Sequence, residues 1–482
     1  MSTRLLVIGG GITGLAAAWE AVAGAGSDTG PVEVTLVEAA GRLGGKVRPS
    51  DVELPDGTRL RIDEGADAFL ARVPDAVQLC EELGLAGELT QPAIGRAAVL
   101  AGGRLRPMPT TTVLGVPLDP DELERTGILS PEGIEQVRAE RTGAPPAPEG
   151  DVTIGGFLAD RFGRELVDRL VGPLIGGINA GDVDELSLRA VTPQLAEAAQ
   201  AGGALSEALR RSRRAAPVTG PVFHALLPGT ERLVEALAEQ LSRRGATLRT
   251  DVGVQRLARS GEVLAAELVA PATTSAAGTV EADRVVLATP APAAAELLAE
   301  LSPDAAGELR AVRHSSVVLV TLVFDRAELA ELDAAGTFDA SGFLVPRDAG
   351  LFMTAVSFGS SKWAHWDDGR HVVLRASAGH VHDDRPGELD DAEVVERIRA
   401  DLGTTLGLRA EPLAARVSRY PQGFAQYELG HLDRVARIEA ALARDVPELR
   451  VAGAAYRGVG LPACIRQGRE ATRAVLGRLT PP

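Results

Sequence analysis

The sequence predicts an α/β fold with a parallel sheet, accompanied by a mixed α+β domain and a helical domain. Residues 4–46 alternate strand, glycine turn, helix and strand, which is the pattern of a βαβ unit. Strand-like runs return much later, at residues 247–254, 263–269, 284–289 and 449–453. A chain of 482 residues is also too long for one compact core. We therefore expect two or three domains.

Three separated segments are predicted to build the α/β domain. In the first, strand Leu5–Ile8 leads into helix Leu15–Ala23, and a Gly/Ser-rich insertion at residues 24–30 precedes strand Val32–Val37. The second begins with a helix over Thr230–Leu241. In the third, Pro462 opens a helix with an apolar face. The predicted domain comprises residues 1–75, 222–300 and 441–482.

Two further domains are predicted between these segments. Residues 107–221 are mostly helical, with a Pro-rich loop at residues 144–148. Residues 76–106 and 301–440 combine strands, such as Val317–Phe324, with helices, such as Asp391–Leu402. We expect the first of these to be a helical domain and the second to be a substrate-binding domain.

Composition excludes several classes of function. The net charge of -16, from 66 acidic and 50 basic residues, argues against a nucleic-acid partner. Cys80 and Cys464 lie in no CxxC pattern, so neither a disulfide framework nor a metal site is expected. The sequence has no signal-peptide pattern and no apolar run of membrane-spanning length. We expect a cytoplasmic protein, with peripheral contact at the inner face of the cell membrane left open.

The strongest local motif is the GxGxxG pattern over residues 9–14. It follows a predicted strand and precedes a helix, so its glycines allow a tight turn, approach of a pyrophosphate and close packing of the helix. Glu38 ends the second strand, where a carboxylate accepts both hydroxyls of an adenosine ribose. The alternative is a structural glycine turn with a surface glutamate.

Two later motifs favour FAD over NAD. Arg42-Leu43-Gly44-Gly45-Lys46 offers a cation for the pyrophosphate and glycines that let the backbone approach the cofactor. Residues 458–462 carry a glycine-rich turn into a helix, whose N-terminus would stabilise negative charge on a reduced flavin. Solvated turns without a ligand are the alternatives. The sequence thus predicts a Rossmann-like FAD-binding domain. Its expected cofactor-binding residues are Gly9, Gly11, Ile12, Thr13, Gly14, Glu38, Ala39, Arg42, Gly44, Gly45, Lys46, Gly65, Ala66, Val254, Thr289, Gly458, Val459, Gly460 and Leu461.

With these motifs, the whole chain resembles the flavin-dependent porphyrinogen oxidases of the amine-oxidase-like superfamily. The resemblance rests on the motifs above and on four further stretches, namely Gly65–Arg72, Pro173–Leu188, Ser360–Trp363 and Gln426–His431. It implies oxidation of a porphyrinogen to a porphyrin by hydride transfer to flavin N5, over three flavin cycles with oxygen as acceptor and hydrogen peroxide as product. It implies no dedicated catalytic side chain.

The version of the motif at Phe69–Arg72 resembles the soluble Gram-positive branch, which implies coproporphyrinogen III as substrate. Its four propionates call for cations, and the candidates are Arg72, Arg347, His431 and Arg457, each with a structural alternative. Asn179 stands where relatives often carry an aromatic residue, so its role toward the tetrapyrrole is open. A haem-pathway enzyme partner is also left open.

Three other functions remain as alternatives. Protoporphyrinogen IX oxidation is the first. Amine oxidation is disfavoured because such enzymes usually flank the flavin with aromatic side chains, and this chain has three tyrosines. A non-catalytic protein of the same fold, resembling the Rab dissociation inhibitors, is disfavoured by the intact glycines and Glu38.

Overall fold

The structure, a computed structural model, describes residues 2–24, 30–143, 145–215, 220–269 and 278–477. Most of the predicted Gly/Ser-rich insertion, residues 25–29, and the first residue of the Pro-rich loop, Ala144, lie outside the described residues. Within the described ranges, no helix is both long and apolar enough to cross a membrane.

A five-stranded parallel sheet forms the centre of the α/β domain. Its strands come from all three predicted segments, which confirms the predicted fold class. In spatial order they are Thr247–Arg249, Val32–Val37, Thr3–Ile8, Arg284–Leu287 and Leu449–Val451. The carboxyl ends of parallel strands meet at one edge, where ligands of such folds bind. This edge carries the glycine turn that follows Ile8.

Helices cover both faces of this sheet. Helices Ile12–Ala23 and Leu461–Val475 cross closely, because a Cβ on Gly468 would lie 2.2 Å from the Thr13 carbonyl oxygen. Glu231–Arg243 and Pro74–Glu82 pack into the same apolar core. The other face carries Ala291–Leu298, Pro303–Arg310, His431–Asp445 and a three-stranded antiparallel sheet of Gly253–Ser260, Val263–Val269 and Gly278–Ala282.

Two domain boundaries differ from the sequence expectation. Residues 76–106 were expected in the substrate-binding domain, yet Ala76, Leu79 and Cys80 are buried in the core of the α/β domain. The helix His431–Asp445 likewise packs against the α/β domain, although residues up to 440 were expected in the substrate-binding domain. In both cases the apolar face of the helix meets partners distant in sequence, which local patterns do not reveal.

The second domain is a seven-stranded mixed sheet. Its strands, in spatial order, are Ala414–Ala425, His314–Asp325, His371–Ala378, Met353–Phe358, Gly342–Leu344, Ala98–Ala101 and Arg104–Pro107. Helix Asp391–Leu406 begins with a capping box formed by Asp390 and Glu393, and packs on this sheet. Shorter helical turns lie at Arg326–Leu329, Ala330–Ala334, Arg347–Ala349, Gly359–Lys362, Ala364–Trp366 and Arg385–Glu388.

The third domain is helical, as predicted. Its helices are Pro120–Thr126, Pro131–Gly143, Ile154–Phe162, Arg164–Leu166, Gly177–Asn179, Leu188–Val191, Pro193–Gln200 and Leu205–Ala215, with a π-helix at Val167–Gly176. The π-helix contains Pro173, which lacks the N–H of a regular helix. A hairpin of Thr112–Val113 and Val116–Pro117 packs on it, so tightly that a Cβ on Gly115 would lie 3.2 Å from Val171.

Short strands join the domains. Phe223–Leu226 pairs with Phe69–Leu70 and, further along, with Leu89–Thr90, a strand preceded by the turn Ala86–Glu88. The hairpin Pro49–Glu53 and Arg59–Asp63 leads into the segment before Phe69. These short strands therefore bring residues 69–70, 89–90 and 223–226 together in one small sheet.

Candidate cofactor and substrate site

The glycine turn of residues 9–14 lies between the first strand and the first helix. Gly9 has φ +105°, and a Cβ there would lie 2.7 Å from the Ala288 carbonyl oxygen. A Cβ on Gly14 would lie 1.9 Å from the Gly9 carbonyl oxygen, so no larger residue fits. Gly11, by contrast, faces open space, because no atom lies within 4 Å of where its Cβ would be. The turn thus leaves room for an anion at the helix N-terminus.

Glu38 lies beside this turn at the end of the second strand. Its two carboxylate oxygens accept hydrogen bonds from the backbone N–H groups of Gly10, at 2.6 Å, and Ala40, at 2.8 Å. Each oxygen keeps a lone pair for a further donor. Ala39 lies 3.7 Å from where a Cβ of Gly253 would be, next to Val254. These residues line one end of the site, as a ribose and its base would require.

The Arg42–Lys46 turn packs against the glycine turn, but its cations do not point where the sequence suggested. Gly44 bridges to Gly11, and Gly45 would meet the Gly11 Cα at 3.2 Å if it carried a Cβ. The Arg42 guanidinium donates to the carbonyl oxygens of Leu43 and Val47, at 3.0 Å each, and also to that of Gly45. Arg42 therefore closes its own turn, and the expectation that it reaches the pyrophosphate is corrected.

Lys46 extends toward the seven-stranded sheet. Its Nζ donates to the carbonyl oxygen of Gly423 and lies 5.8 Å from the centre of the Phe424 ring. Burial lowers the pKa of the Lys46 ammonium group. Lys46 thus links the α/β domain to the second domain through the Gly423 carbonyl oxygen.

The Tyr427 side chain hydrogen-bonds the backbone of the C-terminal glycine turn. The Tyr427 hydroxyl accepts from the Gly458 N–H and donates to the Ala454 carbonyl oxygen, both at 2.8 Å. Gly458 has φ +119°, which favours glycine. The helix Leu461–Val475 starts immediately afterwards, so its first N–H groups face the site. This arrangement suits negative charge developing at a flavin.

The residues present fit FAD. Gly11 leaves space beside the helix N-terminus, and Glu38 offers acceptors to a ribose. Thr289 Oγ1 is buried and has no hydrogen-bond partner among the described residues, next to the backbone that Gly9 contacts. An unpartnered buried hydroxyl is costly unless a ligand satisfies it.

The segment Asp63–Arg72 borders the same site. A Cβ on Gly65 would lie 2.3 Å from the Lys46 carbonyl oxygen and 2.9 Å from the Tyr420 hydroxyl. Asp63 accepts from the Thr230 hydroxyl at 2.7 Å, and the same hydroxyl lies 2.5 Å from the Ala66 carbonyl oxygen. Burial raises the pKa of Asp63 to about 6.

Among the predicted substrate residues, Arg347 and Asn179 lie near each other. Arg347 donates to Asp182 Oδ2 at 2.5 Å and to the Gly181 carbonyl oxygen at 2.8 Å. The Asn179 side-chain amide donates back to the Ile175 carbonyl oxygen at 2.8 Å. Arg347 therefore already has a carboxylate partner, and the Asn179 amide nitrogen is engaged within its own helix.

His431 does not serve as a cation for a propionate, which corrects the sequence expectation. Its ring is fully buried, stacks on Tyr427 at 3.9 Å between centres, and hydrogen-bonds through Nε2 to the Tyr456 carbonyl oxygen at 2.8 Å. Burial lowers the pKa of His431 to about 4, so the ring is neutral near pH 7. Its position on the buried face of a helix accounts for the difference.

Arg457 and Arg72 differ in their partners. Arg457 forms an ion pair at 2.7 Å with Glu439 on the helix His431–Asp445, so its charge is already paired and it is not available to a substrate. Arg72 is exposed and has no hydrogen bond or ion pair among the described residues. Its loop is held by the Ala71 N–H, which donates to the Val222 carbonyl oxygen at 3.0 Å. Arg72 is the predicted cation left available for a ligand.

Sequence reasoning missed several residues that shape the site. Tyr427 and Thr230 had no assigned role, and neither did Asp67 or Arg375. The stretches Ser360–Trp363 and Gln426–His431 carried a signal, because both contributed to the family resemblance. Their roles depend on partners more than 25 positions away in the chain, so spacing alone did not disclose them.

Comparison with known proteins also indicates a flavin-binding protein. The family model described as flavin containing amine oxidoreductase matches residues 12–476. The chain is 33% identical over 477 residues to the coproporphyrinogen III oxidase of Bacillus subtilis (strain 168), covering 97% of each chain. It is 27% identical over 512 residues to human protoporphyrinogen oxidase, covering 99% of each.

A solved structure has the same fold along its whole length. It is a crystal structure from Exiguobacterium sp. 255-15, provisionally assigned as a protoporphyrinogen oxidase, with a TM-score of 0.84 and 30% identity. The match covers 99% of both chains. All three domains are therefore shared with that protein.

Proposed function

Since the chain belongs to the family of flavin-containing amine oxidoreductases and is an FAD-dependent oxidoreductase, we propose that it oxidises coproporphyrinogen III to coproporphyrin III. The observation that carries this proposal is the end-to-end similarity to a coproporphyrinogen III oxidase, at higher identity than to human protoporphyrinogen oxidase. Three molecules of oxygen accept the six electrons and leave as hydrogen peroxide. The proposed place is haem biosynthesis.

FAD supplies the two-electron acceptor, so the protein mainly binds, orients and excludes water. The glycine turn and Glu38 hold the adenosine end, while Tyr427 fixes the turn that presents the helix at Leu461. That helix N-terminus stabilises developing negative charge. We assign no side chain a proton-transfer role.

Arg72 is the cation that we propose for a propionate. Its guanidinium is exposed and has no carboxylate partner among the described residues, whereas Arg347 pairs with Asp182 and Arg457 with Glu439. A guanidinium binds a carboxylate through two parallel hydrogen bonds, which gives both affinity and orientation.

The test is a parallel assay of both porphyrinogens. The purified protein, with its flavin spectrum recorded, would be followed by porphyrin fluorescence under air, and kcat/KM compared for coproporphyrinogen III and protoporphyrinogen IX. We expect a clear preference for coproporphyrinogen III. The reverse preference would assign protoporphyrinogen oxidase activity, and bound FAD without either activity would favour amine oxidation. Protein that binds no FAD would favour a non-catalytic role.

Arg72→Ala sharpens this assay. We expect KM for coproporphyrinogen III to rise at least about tenfold, because a charged hydrogen bond contributes about 1.5–3 kcal/mol. The matched control is Arg437→Ala, an exposed arginine paired with Glu308 at 2.6 Å on an outer helix. Equal KM values for Arg72→Ala and the control would contradict the proposed role of Arg72.

Peripheral membrane contact belongs to the same proposal. The apolar side chains of Val222, Phe223 and Leu227 are exposed, and they follow the helix Leu205–Ala215, which carries four arginines. Basic and apolar groups together suit an anionic lipid surface. We expect co-sedimentation with phosphatidylglycerol vesicles but not with phosphatidylcholine vesicles, and a weaker effect for Phe223→Ser. A haem-pathway enzyme partner would meet the protein at that membrane surface.

A further inference from the structure

The carboxylate of Asp67 receives three donors from the substrate-binding domain. Its Oδ2 accepts from Trp363 Nε1 at 2.9 Å and from Lys362 Nζ at 3.0 Å, and it lies 3.1 Å from Arg375 Nη2. The carboxylate is only 12% exposed. Burial raises the pKa of Asp67, but Arg375 and Lys362 outweigh it and hold that pKa well below its usual range. The group is therefore ionised at neutral pH.

Arg375 also holds the backbone of the same segment. Its Nη1 donates to the carbonyl oxygens of Asp63, at 2.8 Å, and Gly65, at 3.0 Å. One guanidinium on the strand His371–Ala378 thus binds both the side chain and the main chain of residues 63–67. Buried ion pairs add little net stability, because desolvation offsets their attraction. Stability alone does not account for this arrangement.

The segment held in this way reaches both halves of the site. Gly65 lies against the Lys46 carbonyl oxygen, and the neighbouring Gly45 lies against Gly11 in the phosphate-binding turn. In the other direction, the strand Phe69–Leu70 leads directly to Arg72. A displacement at Asp67 would therefore move a cofactor contact and the proposed substrate cation together.

We propose that Asp67 is a positioning residue, which uses Lys362, Trp363 and Arg375 to fix the segment Asp63–Arg72 against the flavin turns and to set the position of Arg72. The part that concerns Arg72 rests on the proposed function. The part that concerns the cofactor does not depend on which substrate the protein oxidises.

The experiment compares Asp67→Asn, Lys362→Met and the double variant. The Asn variant has nearly the same shape but removes the charge that Lys362 and Arg375 share. We expect about a tenfold rise in the FAD dissociation constant, a shifted flavin absorption band and a similar rise in KM for coproporphyrinogen III. Lys362→Met should change the same readouts in the same direction but less, since Trp363 and Arg375 remain.

The double variant separates positioning from charge balance. In Asp67→Asn, the Lys362 ammonium group loses its carboxylate partner. Removing Lys362 as well eliminates that unpaired cation, so Tm should recover toward that of the wild type. If Asp67 positions the segment, the FAD dissociation constant and the absorption band should stay altered. If Tm, the FAD dissociation constant and the absorption band all recover in the double variant, Asp67 serves only to balance the charge of Lys362. That result would overturn the proposal.

Asp56→Asn is the matched control. Asp56 pairs with Arg370 at 3.0 Å and joins the same two domains, but both side chains are exposed. We expect this variant to leave FAD affinity and KM unchanged. If Asp67→Asn does not fold, Trp363→Phe removes one neutral donor and leaves every charge in place. Wild-type FAD affinity, flavin spectrum and KM in a folded Trp363→Phe or Asp67→Asn protein would overturn the proposal.

These readouts also keep the two proposals apart. Wild-type protein that binds FAD but does not oxidise coproporphyrinogen III would refute the proposed function alone. FAD affinity and the flavin spectrum of the Asp67 variants would still test the positioning of the cofactor contacts.

Discussion

The two sides of the cofactor site are formed by different groups, namely backbone atoms on one side and side chains on the other. Around Gly9, Gly11 and Gly14 the site is made of backbone, and at Gly9 and Gly14 its shape depends on close approach that a Cβ would prevent. Around Asp63–Arg72 it is held by polar and charged side chains that distant elements supply, namely Thr230, Lys362 and Arg375. The first side depends on steric fit and has no titrating group in its turn, while the second depends on the protonation and pairing of buried carboxylates. Substitutions on the first side should therefore act through steric clash, and substitutions on the second through lost pairing of charges.

The largest effect is expected on the backbone side. Gly14→Val would place a Cβ 1.9 Å from the Gly9 carbonyl oxygen, so the turn must open and FAD binding should be lost. The absorbance ratio at 450 and 280 nm of purified protein, with Tm, checks this. Gly307→Ala is the control, because this exposed helical glycine has nothing within 4 Å of the new methyl group. FAD retained by Gly14→Val would contradict the steric account.

The second effect is a pH dependence on the side-chain side. The pKa of Asp63 is about 6 in the folded protein and about 3.9 when unfolded, so the folded state holds the proton more tightly. Its stabilisation is complete below pH 4 and is lost as pH rises through 6, by about 2–3 kcal/mol. The groups facing it are Thr230, Asp67 and Arg375.

Denaturant unfolding of wild type and Asp63→Asn between pH 4 and 8 measures this loss. We expect the free energy of unfolding of the wild type, relative to Asp63→Asn, to fall between pH 4 and 7. A constant difference over that range would show that Asp63 ionises normally.

The third effect lies at the C-terminal turn and compares two buried tyrosines. Tyr427→Phe leaves the Gly458 N–H and the Ala454 carbonyl oxygen without a partner, which should cost about 1–3 kcal/mol and speed FAD release. Tyr456→Phe should not lower stability, because its buried hydroxyl has no partner among the described residues and no hydrogen bond is lost. Equal losses in the two variants would show that the Tyr427 hydroxyl does not hold the turn.

The smallest effect is expected at the surface. Asp56→Asn breaks an exposed ion pair with Arg370, and such pairs contribute about 0–1 kcal/mol. Its Tm should stay within about 1 °C of the wild type, and any difference should shrink as salt is added. A loss as large as that of Asp67→Asn would remove the distinction between buried and exposed links across the domains.

Local pattern was sufficient for most elements. The strands Val32–Val37 and Val263–Val269 have the predicted bounds, and the second half of the parallel sheet appears where the later strand-like runs indicated. Helix Asp391–Leu406 is longer than the predicted Asp391–Leu402 because Gly407, with φ +71°, ends it. Periodicity and end signals of this kind act within a few residues, so a single sequence displays them.

Placement of side chains was harder to predict. Arg42 was expected at the pyrophosphate and closes its own turn. His431 was a candidate cation with a structural alternative, and its burial and neutral ring support the alternative. The predicted boundary between residues 75 and 76 divides the helix Pro74–Glu82, whose apolar face meets strands and helices distant in the chain. Each of these errors concerns a partner that the local sequence does not contain.

By itself, the sequence determined the α/β fold, the three-segment sheet and the glycine turns. Those features follow from periodicity, from the conformational freedom of glycine and from the dipole of a helix that begins at a turn, and all of these are properties of short stretches. Only the tertiary structure decided which cations are already paired, which leaves Arg72 available, and which carboxylates are buried together at Asp63 and Asp67. Burial and pairing depend on groups that the fold brings together across hundreds of residues, so their energies arise only when the chain has folded.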